Sequence, residues 1–386
     1  MHTSLLKYRE VEEDVRRFVQ TLPVGSKIPS ERNLAISHGC NFLTVRKALK
    51  GLVAEGTLVR RVGSGTFIAR HIERGSSAGP KDARVGVLVY QGGNAYAYRV
   101  LQSIAHASID LKINLRLIWL RDFDGDALSW VNLLKKDQCV ALTLPWFPLD
   151  RLEEVRRFVS NCPLPVSLPM VIPGVEKNCF EQEQIYDASG ATMAMEDICK
   201  FYRLLGHDRI VLIGPDSADD PILQKKVSGY IHYAARENMP SICGLIGPGA
   251  AAVDRLAQTW KSYRGNLAII SYDDEHAVRF MTAMHKIGLK APNDYCIIGY
   301  NDTDGSRYSD PPLTTVHQNF DYIGYWMLKS ALALGKGEVC QAAETPKLKM
   351  LVRDSCGGRS KITDLFCSQF ENIDIALDHN VPISGE

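Results

Sequence analysis

No run of about 18 uninterrupted apolar residues occurs in the 386-residue chain, so no membrane-spanning helix is expected. The opening stretch, Met1 to Asp14, turns acidic before the apolar core of a secretory signal could form, so no export signal is read there. The ten cysteines are scattered, with no Cys-x-x-Cys pair and no Cys/His ligand cluster. Neither a disulfide framework nor a zinc site follows from that spacing, and a reducing, cytoplasmic compartment does. A Walker loop, a His-Glu-x-x-His motif, a nucleophile elbow and a strand-linked Gly-x-Gly-x-x-Gly are all missing. The sequence therefore argues against an enzyme and implies no cofactor or metal.

What is present is globular. Hydrophobic residues make up 45% of the chain and charged residues 23%, and the length exceeds one ordinary core. The formal net charge of +1 hides a division. Residues 1–74 hold 13 Lys/Arg against 7 Asp/Glu, so the first fifth carries about +6 and the remainder about −5. A basic head on an acidic body is the pattern of a DNA-binding module joined to a separate sensor.

The head reads as helix, helix-turn-helix, hairpin. From Tyr8 to Thr21, Val11, Val15, Phe18 and Val19 recur at helical spacing, and Pro23 and Gly25 end the element. Ser30 is a natural N-cap for a short helix through Leu34, Ala35 and Ile36. His38 to Asn41 makes the turn, with Gly39 suited to a positive φ. A second helix, from about Phe42 to Glu55, buries Val45, Leu49 and Leu52 and presents Thr44, Arg46, Lys47 and Lys50. Two β runs, Leu58–Val62 and Thr66–Ile68, joined by Gly63-Ser64-Gly65, complete a winged helix. Residues 71–83 have linker composition, which sets the head at 1–70.

The body alternates strands and helices. Strands are expected at Arg84–Tyr90, Leu115–Leu120, Cys139–Leu144, Arg209–Gly214, Leu267–Ser271 and Tyr295–Gly299, with helical patterns between them. Such alternation implies parallel sheets covered on both faces, so the fold class is α/β. About 270 residues are too many for one sheet, and two lobes are expected near 84–185 and 186–310. Binding groups in such folds lie just beyond the carboxyl ends of strands. The body is placed at 84–355, and the tail, 356–386, has weak periodicity and no assigned role.

Two resemblances become specific at this point. GSKIPSER over 25–32, TVRKAL over 44–49, Glu55-Gly56 and GSGTF over 63–67 make the head resemble the GntR-type winged helix over roughly 5–70. IGYND over 298–302, PPLTTV over 311–316 and the closing LVRDS over 351–355 make the body similar to the effector domain of the lac repressor family. That domain is periplasmic-binding-protein-like, and its combination with this head is similar to the arabinose-repressor type of regulator.

The resemblance implies operator binding through Ser30, Arg32, Thr44, Arg46, Lys47, Arg60, Arg61 and Gly65, with Arg46 as the leading base or phosphate contact. The family's usual Ser-Arg pair at the start of the recognition helix is replaced by Asn41 and Phe42, so base preference is not carried over. In the body it implies a sugar or similar polar effector held by Tyr96, Trp146, Lys226, Asp273 and Asn301, with Tyr98 a further stacking candidate. Lys226 stands where many relatives have Arg, and Asn301 where the lac repressor has Asp. Asp274 and Asp302 are equally suited to capping the helices that follow them, and Trp146 to the core. A homodimer on a two-fold operator is implied. A body that only dimerises, a transport-type sugar receptor, and an enzyme using Asp273, Asp274 and Asp302 are the rivals.

Overall fold

The computed structural model describes residues 11–378 apart from 13, 17, 20–21, 23–24, 55–56, 62–64, 70–82, 122, 124, 170–187, 218–219, 248–249, 262–266 and 339–346. The chain divides into two units, Met1–Ala78 and Gly79–Glu386. Except for Ala83, the expected linker lies outside the described residues.

In the head, α1 is helical at 11–12, 14–16 and 18–19. Val11, Val15 and Val19 are buried along a single i, i+4 row, while Phe18, on the flank of that row, is 40% exposed. Ser30 caps α2 (Glu31–Ser37), its Oγ accepting from Asn33 N at 3.2 Å. Gly39 makes the turn at φ 56°. Asn41 Oδ1 accepts from Leu43 N at 2.9 Å and so caps α3 (Phe42–Ala54). The hairpin pairs β1 (Leu58–Arg61) with β2 (Gly65–Ile68) antiparallel, and Lys27 adds a bridge to Phe67. Val11, Val15, Val19, Leu34, Val45, Leu49, Leu52, Leu58 and Ile68 share one core.

The body holds two sheets. The first runs β4-β3-β5-β6 and is wholly parallel, built from β3 (Arg84–Tyr90), β4 (Asn114–Leu120), β5 (Cys139–Thr143) and β6 (Val166–Ser167). The second runs β13-β12-β11-β10-β9-β7-β8. Its strands are β7 (Arg209–Pro215), β8 (Ile242–Ile246), β9 (Leu267–Ser271), β10 (Cys296–Tyr300), β11 (Thr314–His317), β12 (Leu348–Val352) and β13 (Ile373–Leu377). Among the described residues of this sheet, the β11–β12 pairing is antiparallel and the others are parallel. Central strands such as β9 and β10 are buried along their whole length, as a sheet covered on both faces requires.

Helices α4 (Ala95–Leu111), α5 (Gly125–Lys136) and α6 (Leu152–Asn161) flank the first sheet. The second is flanked by α7 (Ala188–Leu204), α8 (Pro221–Arg236), α9 (Ala250–Trp260) and α10 (Asp274–Lys286). The short α11 (Asp304–Arg307) follows β10.

Two departures from the expected lobes matter for the site. After β11, the chain returns to the first lobe as α12 (Phe320–Gly335), where Phe320, Ile323, Met327, Leu328 and Ala331 pack with Val100 and Ile104 of α4. Gly324 sits at that crossing, and a Cβ there would lie 2.5 Å from Ile104 N and closer still to Ser103. The segment left unassigned after 356 also has a place. It forms α13 (Asp364–Cys367) and then β13, which pairs parallel with β12 from Leu348↔Ile373 to Val352↔Leu377.

Candidate nucleic-acid interface and effector site

Along α3, the buried positions are Val45, Ala48, Leu49 and Leu52, so the opposite face is set by the helical period. That face carries Phe42, Leu43, Arg46, Lys47 and Lys50, all exposed. Thr44 is half-buried in the first turn, its N bonded to Asn41 O at 2.9 Å. The Arg46 guanidinium lies 5.8 Å from the Phe42 ring centroid, a loose cation–π approach that leaves its donors available. Ser30 and Arg32 are exposed on and before α2.

The wing residues divide. Arg60 pairs with Glu31, tying β1 to the start of α2, so its charge is partly answered within the head. The Arg61 side chain and residues 62–64 lie outside the described residues. Gly65, expected to be small for approach to DNA, has an internal reason as well. Its φ is 114°, and a Cβ would meet Lys27 Cε at 2.6 Å.

In the body, polar groups gather beyond the carboxyl ends of β9, β10 and β11. Asp273 caps α10, accepting from His276 N at 2.8 Å and meeting His276 Nδ1 at 2.7 Å. Burial would raise its pKa, but the bond and charge of His276 outweigh it and hold it below the ordinary carboxylate value. Asp274, suggested as a cap, is instead the first residue of α10, its buried carboxylate accepting from Thr303 N at 2.7 Å and Thr315 Oγ1 at 2.5 Å. Its own burial pushes it up to about 7. Asp302 does not cap a helix either. It accepts from Arg353 Nη2 at 2.6 Å and faces His317 Nδ1 at 3.0 Å. These partners pull it below its ordinary value despite its burial.

Asn301 is half-buried at φ 105°, its N bonded to Val316 O at 2.8 Å and its Oδ1 accepting from Gln318 Nε2 at 2.6 Å. Lys226 is 2% exposed, donates to Tyr272 O at 2.5 Å and stands 3.4 Å from the Tyr300 ring centroid. Burial lowers its pKa to about 7, against the pull of Asp273, Asp220 and Asp274.

On the first lobe, Tyr96 is buried against Phe320, with centroids 5.7 Å apart, and Tyr98 faces away because residues two apart on a helix point about 200° from each other. Tyr98 takes the outward position and is 49% exposed. With Tyr90, Gly93, Ala97, Pro145 and the half-buried Trp146 it lines a recess of ≈ 270 Å³, open space included. Open solvent makes up part of that space, so the recess supplies one wall and not a closed chamber. Arg99, next to Tyr98, crosses to Asp302 O at 3.0 Å while lying 4.7 Å from the Phe320 ring centroid. Arg99, Tyr272 and Gln318 were not read from the sequence. Tyr272 alone carried a signal, as the first residue after β9.

A winged helix-turn-helix and a two-lobed body with polar groups beyond its strand ends define a two-module chain of regulator-like construction. Residues 7–68 match the model of bacterial regulatory proteins of the gntR family, and residues 200–356 match the periplasmic binding protein-like domain. The Lactose operon repressor of Escherichia coli (strain K12) is 28% identical over 153 residues, 39% of this chain and 42% of that protein. The chain thus spans about half or less of the curated relatives' length. The crystal structure of transcription regulator CcpA of Lactococcus lactis superposes with a TM-score of 0.57 at 20% identity, over 71% of this chain and 99% of the other. A LacI family transcriptional regulator from Lactobacillus casei, solved with bound glucose, gives 0.51 at 18% identity, over 71% and 100%. The chain carries a GntR-type head on a periplasmic-binding-protein-like body.

Proposed function

We propose that the chain is a cytoplasmic, sequence-specific transcription regulator, a repressor of carbohydrate-utilisation genes whose operator affinity is changed by a sugar or similar polar effector. The observation that carries this reading is the exposed face of α3, with Arg46, Lys47 and Lys50 on the second helix of a matched helix-turn-helix head. Arg46 reads a base or phosphate, and Phe42 and Leu43 offer apolar contacts to thymine methyl groups. The glucose seen in the Lactobacillus casei relative supports a sugar as effector. Trp146 and Tyr98 would supply a flat face on one lobe, and Asn301 and Asp273 polar groups on the other. No turnover of the ligand is expected.

The chain acts as a homodimer, since one winged helix covers a half-site. Leu117 and Trp119 are each 47% exposed on one face of the edge strand β4, and Ile109 of α4 is 63% exposed. Apolar groups on an unpaired edge suit a second copy of the same surface.

A second reading, a body that only dimerises, draws on one observation. Asp220, Asp273, Asp274 and Asp302 are each already bonded within the fold. Titration of full-length protein into a panel of mono- and disaccharides, sugar acids and nucleosides, with operator binding followed by fluorescence anisotropy, separates the two. A ligand that changes operator affinity supports the sensor; silence across the panel supports the dimerisation body.

A further inference from the structure

β10 ends on two consecutive non-glycine residues of positive φ, Asn301 at 105° and Asp302 at 47°. Such backbone persists only where its surroundings over-determine it, and it clusters at binding and switching sites. Here the restraint comes from below. Arg353, 0% exposed, donates Nη2 to Asp302 Oδ1 at 2.6 Å and Nε to Asp378 Oδ2 at 2.9 Å. Its Nη1 donates to Ser306 Oγ and Leu313 O, both at 2.9 Å. Two carboxylates thus hold two nitrogens, Nε and Nη2, of one planar guanidinium, and a rigid fork held at one nitrogen is aimed at its other partner.

Asp378 reaches this position because β13 pairs with β12 up to Val352↔Leu377, after which Asp378 N donates to Val352 O at 3.2 Å. The matched periplasmic-binding-protein-like region stops at 356, so the residue belongs to the segment beyond it.

We infer that Asp378 is a positioning residue for the effector site: through Arg353 it holds the Asn301–Asp302 loop in its positive-φ conformation, which makes the C-terminal strand part of the sensor. This rests on the reading of Asn301 as an effector contact. The physical content is local. Without the Asp378 carboxylate, Arg353 is free to turn about its remaining partners, and the loop loses the aimed donor that fixes Asp302.

Hydrogen exchange on the full-length protein tests it, since Asn301 N, Asp302 N and Thr303 N are bonded to Val316 O, Thr315 Oγ1 and Asp274 Oδ2. Asp378→Asn should speed exchange at 301–303 by about tenfold while β7 and β9 change by less than about twofold. Exchange at the wild-type rate in the loop, or acceleration confined to β12 and β13, would overturn the inference, the latter by showing that Asp378 merely pins the tail. Should Asp378→Asn loosen the whole sheet, Asp378→Glu decides, because it keeps a carboxylate for Arg353. That variant should restore exchange at 301–303 to within about twofold of the parent, and a loop that stays fast while β12 and β13 are protected counts against the role. A sugar from the panel that binds the parent should bind Asp378→Asn about tenfold more weakly. If no sugar binds the parent, the effector reading falls, while the exchange data still judge Asp378.

Discussion

Replacing Lys226 by Met removes a buried ammonium and keeps the length of the stem. An ordinary lysine titrates near 10.5, and Lys226 is lowered to about 7, first by burial. At about 1.4 kcal/mol per tenfold in proton affinity, the charged form costs the fold roughly 4–5 kcal/mol at neutral pH. Methionine relieves that cost but leaves the Tyr272 carbonyl without its donor, which takes back about 1–3 kcal/mol. The net expectation is a gain of roughly 1–4 kcal/mol for Lys226→Met at pH 7.

The sign of its pH dependence is the sharper test. Between the folded value near 7 and the unfolded value near 10.5, the unfolded chain holds a proton that the folded chain does not, so parent stability rises with pH across that window. The advantage of the variant is therefore full below pH 7, shrinks as pH rises, and by about pH 10 has reversed to a deficit of about 1–3 kcal/mol, the lost hydrogen bond to Tyr272 O. Urea midpoints for parent and variant, taken in parallel across this range, measure it. A difference that is flat in pH, or a variant weaker than the parent below pH 7, would refute the account of Lys226 as a desolvated cation held on Tyr300.

Arg46→Ala should weaken operator binding by about 1–3 kcal/mol, roughly 5–150-fold, at fixed salt, with the melting temperature of the head unchanged because the side chain is exposed. Anisotropy titrations read the first and thermal unfolding the second. Gly324→Ala should destabilise the body by about 1–3 kcal/mol, since the clash is with the backbone of α4 and the helices must part to admit a methyl group; denaturant unfolding that shows no loss would remove the close crossing.

Local chemistry made much of this fold legible. The α2 and α3 caps follow from Ser30 and Asn41, and the turn from Gly39, because a side-chain oxygen or a missing Cβ acts within three or four residues. Strands β3, β5, β7, β9 and β10 stand out as apolar runs because both their faces are covered. Edge strands do not announce themselves so well. β6 has two residues, and β8, Ile242–Ile246, exposes Cys243 and Leu245 and breaks the apolar run with a glycine. The helical phase that turns Tyr96 inward and Tyr98 outward depends on where α4 begins, at Ala95 after its Asn94 cap.

From the chain alone come the basic head, the winged-helix order and the alternating strands and helices of the body, since each rests on neighbours within a turn or a strand. Which lobe α12 serves, how Lys226 is buried, and which carboxylate caps a helix, bonds a threonine of β11 or meets an arginine were decided only in three dimensions. Those outcomes depend on partners such as Ser103 for Gly324 and Asp302 and Asp378 for Arg353. Pairings that distant in sequence leave no period or spacing in the chain itself, because packing geometry and desolvation belong to the assembled core.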